Sequence, residues 1–376
     1  MRRQNFQRLP LIDGFKGLAC LVIVLHHLVA YGPLSDAVMP ALPDVLTWLF
    51  EYGRMAVQVF LVVSGYLMAR QLSQLARQER QTSWFQLVQK RYTRLAIPFV
   101  LALLFGVALS SELHWMTGED SFESIASWPQ WIAHVFLLQT WLHQPAIAAG
   151  AWYVAIDFQL YALMAGVFCL CQRHRSETRT LWMKPDADPR SLIALVVSWV
   201  LVLTLMALVY FNRHPFYDAS ALYFMGAYGL GMLARWFSTR PKALVWVAGL
   251  ALLIVFALWF DFRWRLVVAG VTALVLCGES LISEATYGFL LKLRLSGLGK
   301  ISYSVFLVHF PICMAFNTVW PLFVAGDSVL GNGLGLLAAL IASVGMGYVF
   351  WRWVESQVPQ WLNQSGEWLK ALPVPR

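Results

Sequence analysis

Residues 11–31 read LIDGFKGLACLVIVLHHLVAY, an apolar run with Lys16 near its start and His26-His27 near its end. About 20 such residues span a hydrocarbon core of about 30 Å at 1.5 Å per residue. Lys16 and His27 are eleven positions apart. On an α-helix that is about three turns, so both fall on one face, separated by about 16 Å along the axis. A cation near one membrane edge and an imidazole past the midplane thus share a stripe. Ionisable groups inside spans are expensive and are candidate functional residues by default.

The remainder of the chain has the composition of a wall around that stripe. It is 59% apolar, 15% aromatic and 13% charged, where soluble domains carry about 25% charged residues. Residues 243–260 and 333–350 contain no charge at all. The fold class expected is all-α, a polytopic transmembrane helical bundle forming one integral membrane domain. The spans are placed at about 11–31, 54–70, 95–111, 151–171, 191–211, 219–236, 243–260, 264–278, 300–320 and 331–353. The first span lacks a small-x-small cleavage site, so it reads as a retained helix rather than a signal peptide. No soluble extracytoplasmic domain is expected after the last span.

The net charge of +8 has a simpler cause than a nucleic-acid partner. With the N-terminus placed in the cytoplasm, only Arg54, Arg213, Arg263 and Arg265 of the 28 Lys and Arg fall on the outer side. That asymmetry predicts both termini inside. Trp131 to Leu142 is apolar but too short to span, and counting it as a span would invert the charge bias. It is read as a re-entrant or interfacial helix on the outer side, whose ends need protein or water around them. The outer connection from Ser110 to Pro129 carries Glu112, Glu119, Asp120 and Glu123. The inner connection from Gln71 to Lys90 is amphipathic and is expected to lie along the interface. The five cysteines form no CxxC or metal-like cluster, so neither a disulfide nor a metal site is expected.

Few residues within the spans carry chemistry. His27 lies late in an outward-running span and Asp157 early in an inward-running one, which puts them at similar depth. An imidazole beside a carboxylate is a competent general-base pair; alternatively, Asp157 bonds a buried Trp or Tyr such as Trp152. His26 points about 100° away from His27 and is either a second site residue or a hydrogen-bonded packing residue. His309, near the midplane of its span, is either a satisfied core histidine or a participant. Arg91 and Arg94, at i and i+3, sit on one side of a helix with Lys16 at similar depth. They suit a phosphate-bearing ligand, or else serve as ordinary membrane anchors beside Arg54 and the other flanking cations. Ser64-Gly65-Tyr66 lies mid-span, where a Ser-Gly pair more often permits close helix packing than nucleophilic catalysis. A proton-coupled secondary transporter is the competing reading, because intramembrane His and Asp also build proton relays.

In this order, the motifs resemble the acyltransferase family 3 of integral membrane proteins, which O-acylate glycans. Asp13-Gly14-Phe15-Lys16-Gly17 followed by His27 is similar to the family's opening Asp-Gly-Leu-Arg…His element. Val57 to Tyr66 resembles Phe-Phe-Val-Leu-Ser-Gly-Phe/Tyr, and Arg91 to Pro98 resembles Arg-x-x-Arg…Pro. Trp152 to Tyr161 parallels Trp-x-Leu-x-x-Glu-x-x-Phe-Tyr. Gly299-Lys300-Ile301-Ser302-Tyr303-Ser304 with His309-Phe310-Pro311 matches the late Gly-x-x-Ser-Tyr…His-x-Pro element. Lys16 stands where the family has Arg, which keeps the charge but loses the planar fork. Asp157 stands where it has Glu.

The resemblance implies an O-acyltransferase of the bacterial inner membrane, with cytoplasmic acyl-CoA, usually acetyl-CoA, as donor. The acceptor implied is a hydroxyl of a cell-envelope glycan or lipid-linked saccharide. It casts His27 as base aided by Asp157, with Lys16, Arg91 and Arg94 holding CoA phosphates. Ser64, Tyr66, Trp152, Tyr303, His26, Arg54 and His309 are the surrounding candidates. Relatives with an added extracytoplasmic domain complete transfer through it; without one, the chain finishes the reaction itself or works with a separate partner.

Overall fold

The computed structural model describes residues 10–78, 81–118, 126–182, 189–282 and 295–360. Glu119, Asp120 and Glu123 of the acidic outer loop lie outside the described residues, as do Lys292 and the terminal cations at 2, 3, 8, 370 and 376. Among the described residues every regular element is helical. They are α1 (Pro10–Ala30), α2 (Pro33–Val38), α3 (Pro43–Tyr52), α4 (Val57–Arg77), α5 (Trp84–Thr117), α6 (Trp128–Val135) and α7 (Ala151–Trp182). Then follow α8 (Pro189–Val209), α9 (Ala221–Ser238), α10 (Ala243–Phe260), α11 (Trp264–Cys277), α12 (Leu295–Val319) and α13 (Val329–Phe350).

A helix occupies each of the ten stretches expected to span, and among the described residues eight helical segments are long and apolar enough to cross a membrane. The protein is a helical membrane bundle. The two shortfalls have physical causes. From Phe224 to Ala234 every residue of α9 is buried, so its surroundings are protein and its surface need not match lipid. At 14 residues, α11 covers only about 21 Å, and it packs on α9, α10 and α4.

The chain divides into two compact units. The first comprises Met1–Ala19, Met55–Arg91 and Ala155–Lys300, with α9 at its centre against α4, α8, α10 and α11. The α4–α9 crossing is backbone on backbone. A Cβ added at Gly65 would lie 1.9 Å from the Tyr228 carbonyl oxygen, and one at Gly231 would lie 1.9 Å from that of Val62. Such small-residue contacts replace the hydrophobic driving force that lipid removes.

The second unit comprises Cys20–Arg54, Tyr92–Val154 and Ile301–Arg376. Here α2 packs on α13, and Val29, Val38, Leu46 and Leu49 form a buried cluster. Residues 33–52 fold into α2 and α3, where the sequence suggested only a connection, and a 3-10 turn, Gly53–Ala56, follows. Beyond α13 the helix widens into a π-turn, Trp351–Glu355. There the Ser304 hydroxyl donates to Glu355 at 2.6 Å.

Two expectations about connections change. Much of the stretch from Gln71 to Lys90 belongs to the flanking helices: α4 runs on to Arg77 and α5 already begins at Trp84. The Trp84 indole donates to the Ala162 carbonyl at 2.9 Å, which anchors that start. The short apolar segment is helical only over Trp128–Val135, opened by a Ser127/Gln130 capping box. It stops because Leu137 adopts φ 57. Protein satisfies its ends, as a non-spanning segment requires. His134, which is wholly buried, donates from Nδ1 to the Gln130 carbonyl at 2.8 Å and accepts the Ile147 N–H at Nε2, 3.2 Å. Gln139 donates to the Ala151 carbonyl at 2.9 Å.

Candidate functional site: a histidine pair and a buried ion pair

In the second unit, His27 comes from the C-terminal half of α1 and His309 from the middle of α12. Nδ1 of His27 and Nε2 of His309 are 2.6 Å apart, with the rings 17° from coplanar. Which nitrogen carries the proton follows from what surrounds His309. Its Nδ1 meets two carbonyl oxygens one turn back on α12, Phe306 at 2.8 Å and Val305 at 3.1 Å. Carbonyl oxygens only accept, so His309 Nδ1 is the protonated nitrogen and its Nε2 bears the lone pair. That lone pair accepts the Nδ1–H of His27, which leaves Nε2 of His27 unprotonated and basic. His309 is wholly buried and His27 half-buried. Tyr31 and Phe310 contact the His27 ring at centroid distances of 5.7 Å each.

His26 resolves to packing. Its Nδ1 donates to the Leu49 carbonyl at 2.9 Å, which ties α1 to α3. Gly53 passes so close that a Cβ there would lie 2.8 Å from that of His26. Arg54, on the following 3-10 turn, is exposed.

In the first unit, Asp157 is 4% exposed and takes Arg91 as its partner, with Nη2 to Oδ2 at 2.5 Å. The Arg91 guanidinium also lies 5.3 Å above the Tyr161 ring, and the Tyr161 hydroxyl accepts from Gln71 at 2.9 Å. A carboxylate that is out of water needs a paired cation, and Arg91 supplies it. The other carboxylate oxygen, Oδ1, is buried with no hydrogen-bond partner among the described residues. His27 takes His309 as its partner and Asp157 takes Arg91, where the sequence suggested His27 with Asp157. Arg91 is half-buried, its side chain 27% exposed. Arg94, three residues on, is exposed, and Lys16 is half-buried.

Other candidates have structural duties. The Tyr303 hydroxyl donates to the Leu95 carbonyl at 2.9 Å. Ser64 is half-buried beside Gly65, whose closeness to α9 is the reason for the Ser-Gly pair. The Tyr66 ring carries the Arg235 guanidinium 5.7 Å from its centroid. Half-buried Trp152 meets the Tyr153 ring edge-on at 6.3 Å. Gly299, opening the late motif, sits where a Cβ would be 1.9 Å from the Asp13 carbonyl oxygen of the first motif. Sequence reasoning left the role of His309 open and passed over Gln71, Glu355 and Arg235. His27 and His309 are 282 positions apart, and no local pattern reports such a contact. Among the described residues no His/Cys/Asp/Glu group could hold a metal ion.

Comparison with known proteins agrees with the motif order. A family profile described as an acyltransferase domain matches residues 9–352. A relative described as regulator of hypoxia-inducible factor 1, from Caenorhabditis elegans, is 25% identical over 177 residues, covering 44% of this chain and 35% of its own length. Acyltransferase MdmB of Streptomyces mycarofaciens is 27% identical over 159 residues, covering 41% of this chain and 38% of its own. The matched stretches thus span little more than a third of either curated relative. No solved structure matches. With its motifs in order and a profile covering nearly all of it, this helical membrane protein belongs to the acyltransferase family 3.

Proposed function

We propose that the protein is an O-acyltransferase that moves an acyl group, acetyl in the simplest case, from acyl-CoA to a hydroxyl of a glycan. The observation that carries this reading is the His27–His309 pair. A neutral, fixed histidine holds the Nδ1–H of a second histidine, so its Nε2 lone pair is available to a substrate hydroxyl. That is the arrangement of a general base, a role worth about 10²–10⁴-fold in rate.

The step balances as follows. His27 Nε2 takes the proton as the acceptor oxygen attacks the thioester carbonyl. The tetrahedral intermediate collapses to the new ester, and the departing CoA sulfur takes the proton back from the imidazolium. His309 remains neutral and keeps the Nδ1–H of His27 engaged throughout. In this scheme it fills the role that sequence reasoning gave to Asp157. Asp157 instead fixes Arg91, and Lys16, Arg91 and Arg94 are proposed to attract the donor's phosphates.

The charge bias supports both termini inside; a cytoplasmic acyl-CoA donor and a bacterial inner-membrane setting are proposed from membership of the family. The acceptor is then an exported or lipid-linked saccharide reached from the outer side. A separate partner completing transfer is part of the same proposal.

The test is acyl transfer by purified, lipid-reconstituted protein supplied with labelled acetyl-CoA and cell-envelope glycan. His27→Ala should lose at least 10²-fold in transfer while acetyl-CoA binding persists. Normal transfer by a folded His27→Ala protein would refute the base. Transfer exclusively to amines would refute the O-acyl assignment.

A further inference from the structure

The first unit also holds a half-open cavity of about 350 Å³ lined by Tyr66, Arg70, Arg235, Ser238, Glu279 and Ser280. Its volume is at the lower end for small-molecule sites. Three elements build it. Tyr66 and Arg70 are one turn apart on α4, Arg235 and Ser238 one turn apart on α9, and Glu279 and Ser280 open the 3-10 turn Glu279–Leu281 after α11. The spacings of four and three residues keep each helical pair on one face.

The lining is unusual in its charge. Two guanidinium groups, one phenol and two serine hydroxyls converge on it, against a single carboxyl. Arg235 is held over the Tyr66 ring, and its Nε is buried with no hydrogen-bond partner among the described residues. No ion pair among the described residues joins Arg235 to Glu279. Burial pushes the Glu279 carboxyl up, while Arg235 draws it down. Ser238 donates its hydroxyl hydrogen to the Arg235 carbonyl at 2.9 Å, so the excess in the lining is one of charge, two guanidinium groups against one carboxyl. Guanidinium groups bind phosphate oxygens through paired N–H donors.

We propose that this cavity is an anion site that binds a phosphate group. The chemistry is common to two sources: the phosphates of a soluble nucleotide and the headgroup phosphate of an anionic phospholipid. By the charge bias of the chain, the ends of α4 and α9 that build it face the cytoplasm, where both are available. The proposal does not rest on the acyl-transfer reading, and a failure of either leaves the other standing.

The experiment uses full-length protein in detergent, in two arms. In one, ADP is titrated calorimetrically; in the other, native mass spectrometry counts retained phosphatidylglycerol, with phosphatidylcholine as the neutral control. Saturable binding is expected in one arm, which assigns the source. Arg235→Gln should weaken it tenfold or more. Ser280 is exposed, so Ser280→Glu places a repelling charge at the rim without disturbing packing, and it decides the matter if Arg235→Gln does not fold. Absence of saturable binding in both arms overturns the proposal. So does binding that falls less than threefold in a folded Ser280→Glu or Arg235→Gln protein.

Discussion

Replacing His309 by Phe tests the histidine pair directly. The ring volume is nearly kept, but the Nε2 lone pair 2.6 Å from His27 Nδ1 is lost. The Nδ1–H of His27 then faces an apolar edge, and an unsatisfied donor of this kind costs about 1–3 kcal/mol. At about 1.4 kcal/mol per decade, that corresponds to about 5–150-fold if it falls on the active orientation of His27. Freedom of the proton to settle on either nitrogen adds only about a factor of two. We therefore expect kcat to drop about 10–100-fold, with the KM for acetyl-CoA little changed. His309→Gln offers a carbonyl oxygen near the old Nε2 position and should recover most of the loss. The assay is initial-rate CoA release by reconstituted protein, with thermal unfolding to confirm the fold. In combination with His27→Ala, the His309 substitution should add nothing, because the two act as a unit. Wild-type kcat in His309→Phe, or equal impairment of Phe and Gln variants that melt like wild type, would refute the dyad.

Other perturbations reach different parts of the molecule. Arg91→Ala strands a buried Asp157 carboxylate and should cost about 2–4 kcal/mol of stability, below the fully buried range because Arg91 retains some exposure; unchanged thermal unfolding would show that the ion pair does not matter. Gly65→Ala drives a Cβ into the Tyr228 carbonyl and should abolish monodisperse protein in size-exclusion chromatography. Gly249→Ala meets nothing within 4 Å and should behave as wild type.

His134 predicts a pH dependence. Burial holds its imidazole below the ordinary 6.5, against the Gln130 carbonyl that raises it, and a proton on Nε2 would break the hydrogen bond from Ile147. Between the folded and unfolded values the unfolded chain binds the extra proton, so this contribution is complete above about pH 6.5 and is lost as pH falls below it. Melting temperature measured from pH 8 to pH 4.5 should show that slope, flattened in His134→Gln.

The fold was legible because lipid imposes a one-dimensional code: runs of about 20 apolar residues and a bias in Lys and Arg. What that code misses is whatever protein, rather than lipid, surrounds. The helix from Ala221 to Ser238 is expected as a span from its sequence, yet its many small and aromatic residues make sense only against Gly65, Val62 and Thr204. The ionisable residues of the site were visible one by one, since each is costly in a membrane. Their pairing was not. Depth matching favoured His27 with Asp157, whereas the selecting factors were the Phe306 carbonyl that orients His309 and the cation that Asp157 needs. Both are tertiary facts. The start of α5 at Trp84 was obscured for a similar reason, because the indole bond to Ala162 extends a helix that composition alone placed along the interface.

The burial of α9 also bears on how the chain is made. A segment carrying Arg235, and tailored to protein on every side, is a poor match for bare lipid when it leaves the ribosome. Its first shelter is α4, synthesised well before it, whose Gly65 presents open backbone to be covered. Its later shelter, α11, emerges only after α10. Between those moments α9 is half-wrapped. Membrane insertion of this protein is thus a sequential assembly around a waiting groove, and defects in the α4–α9 crossing register as degradation during biogenesis before they register as loss of activity.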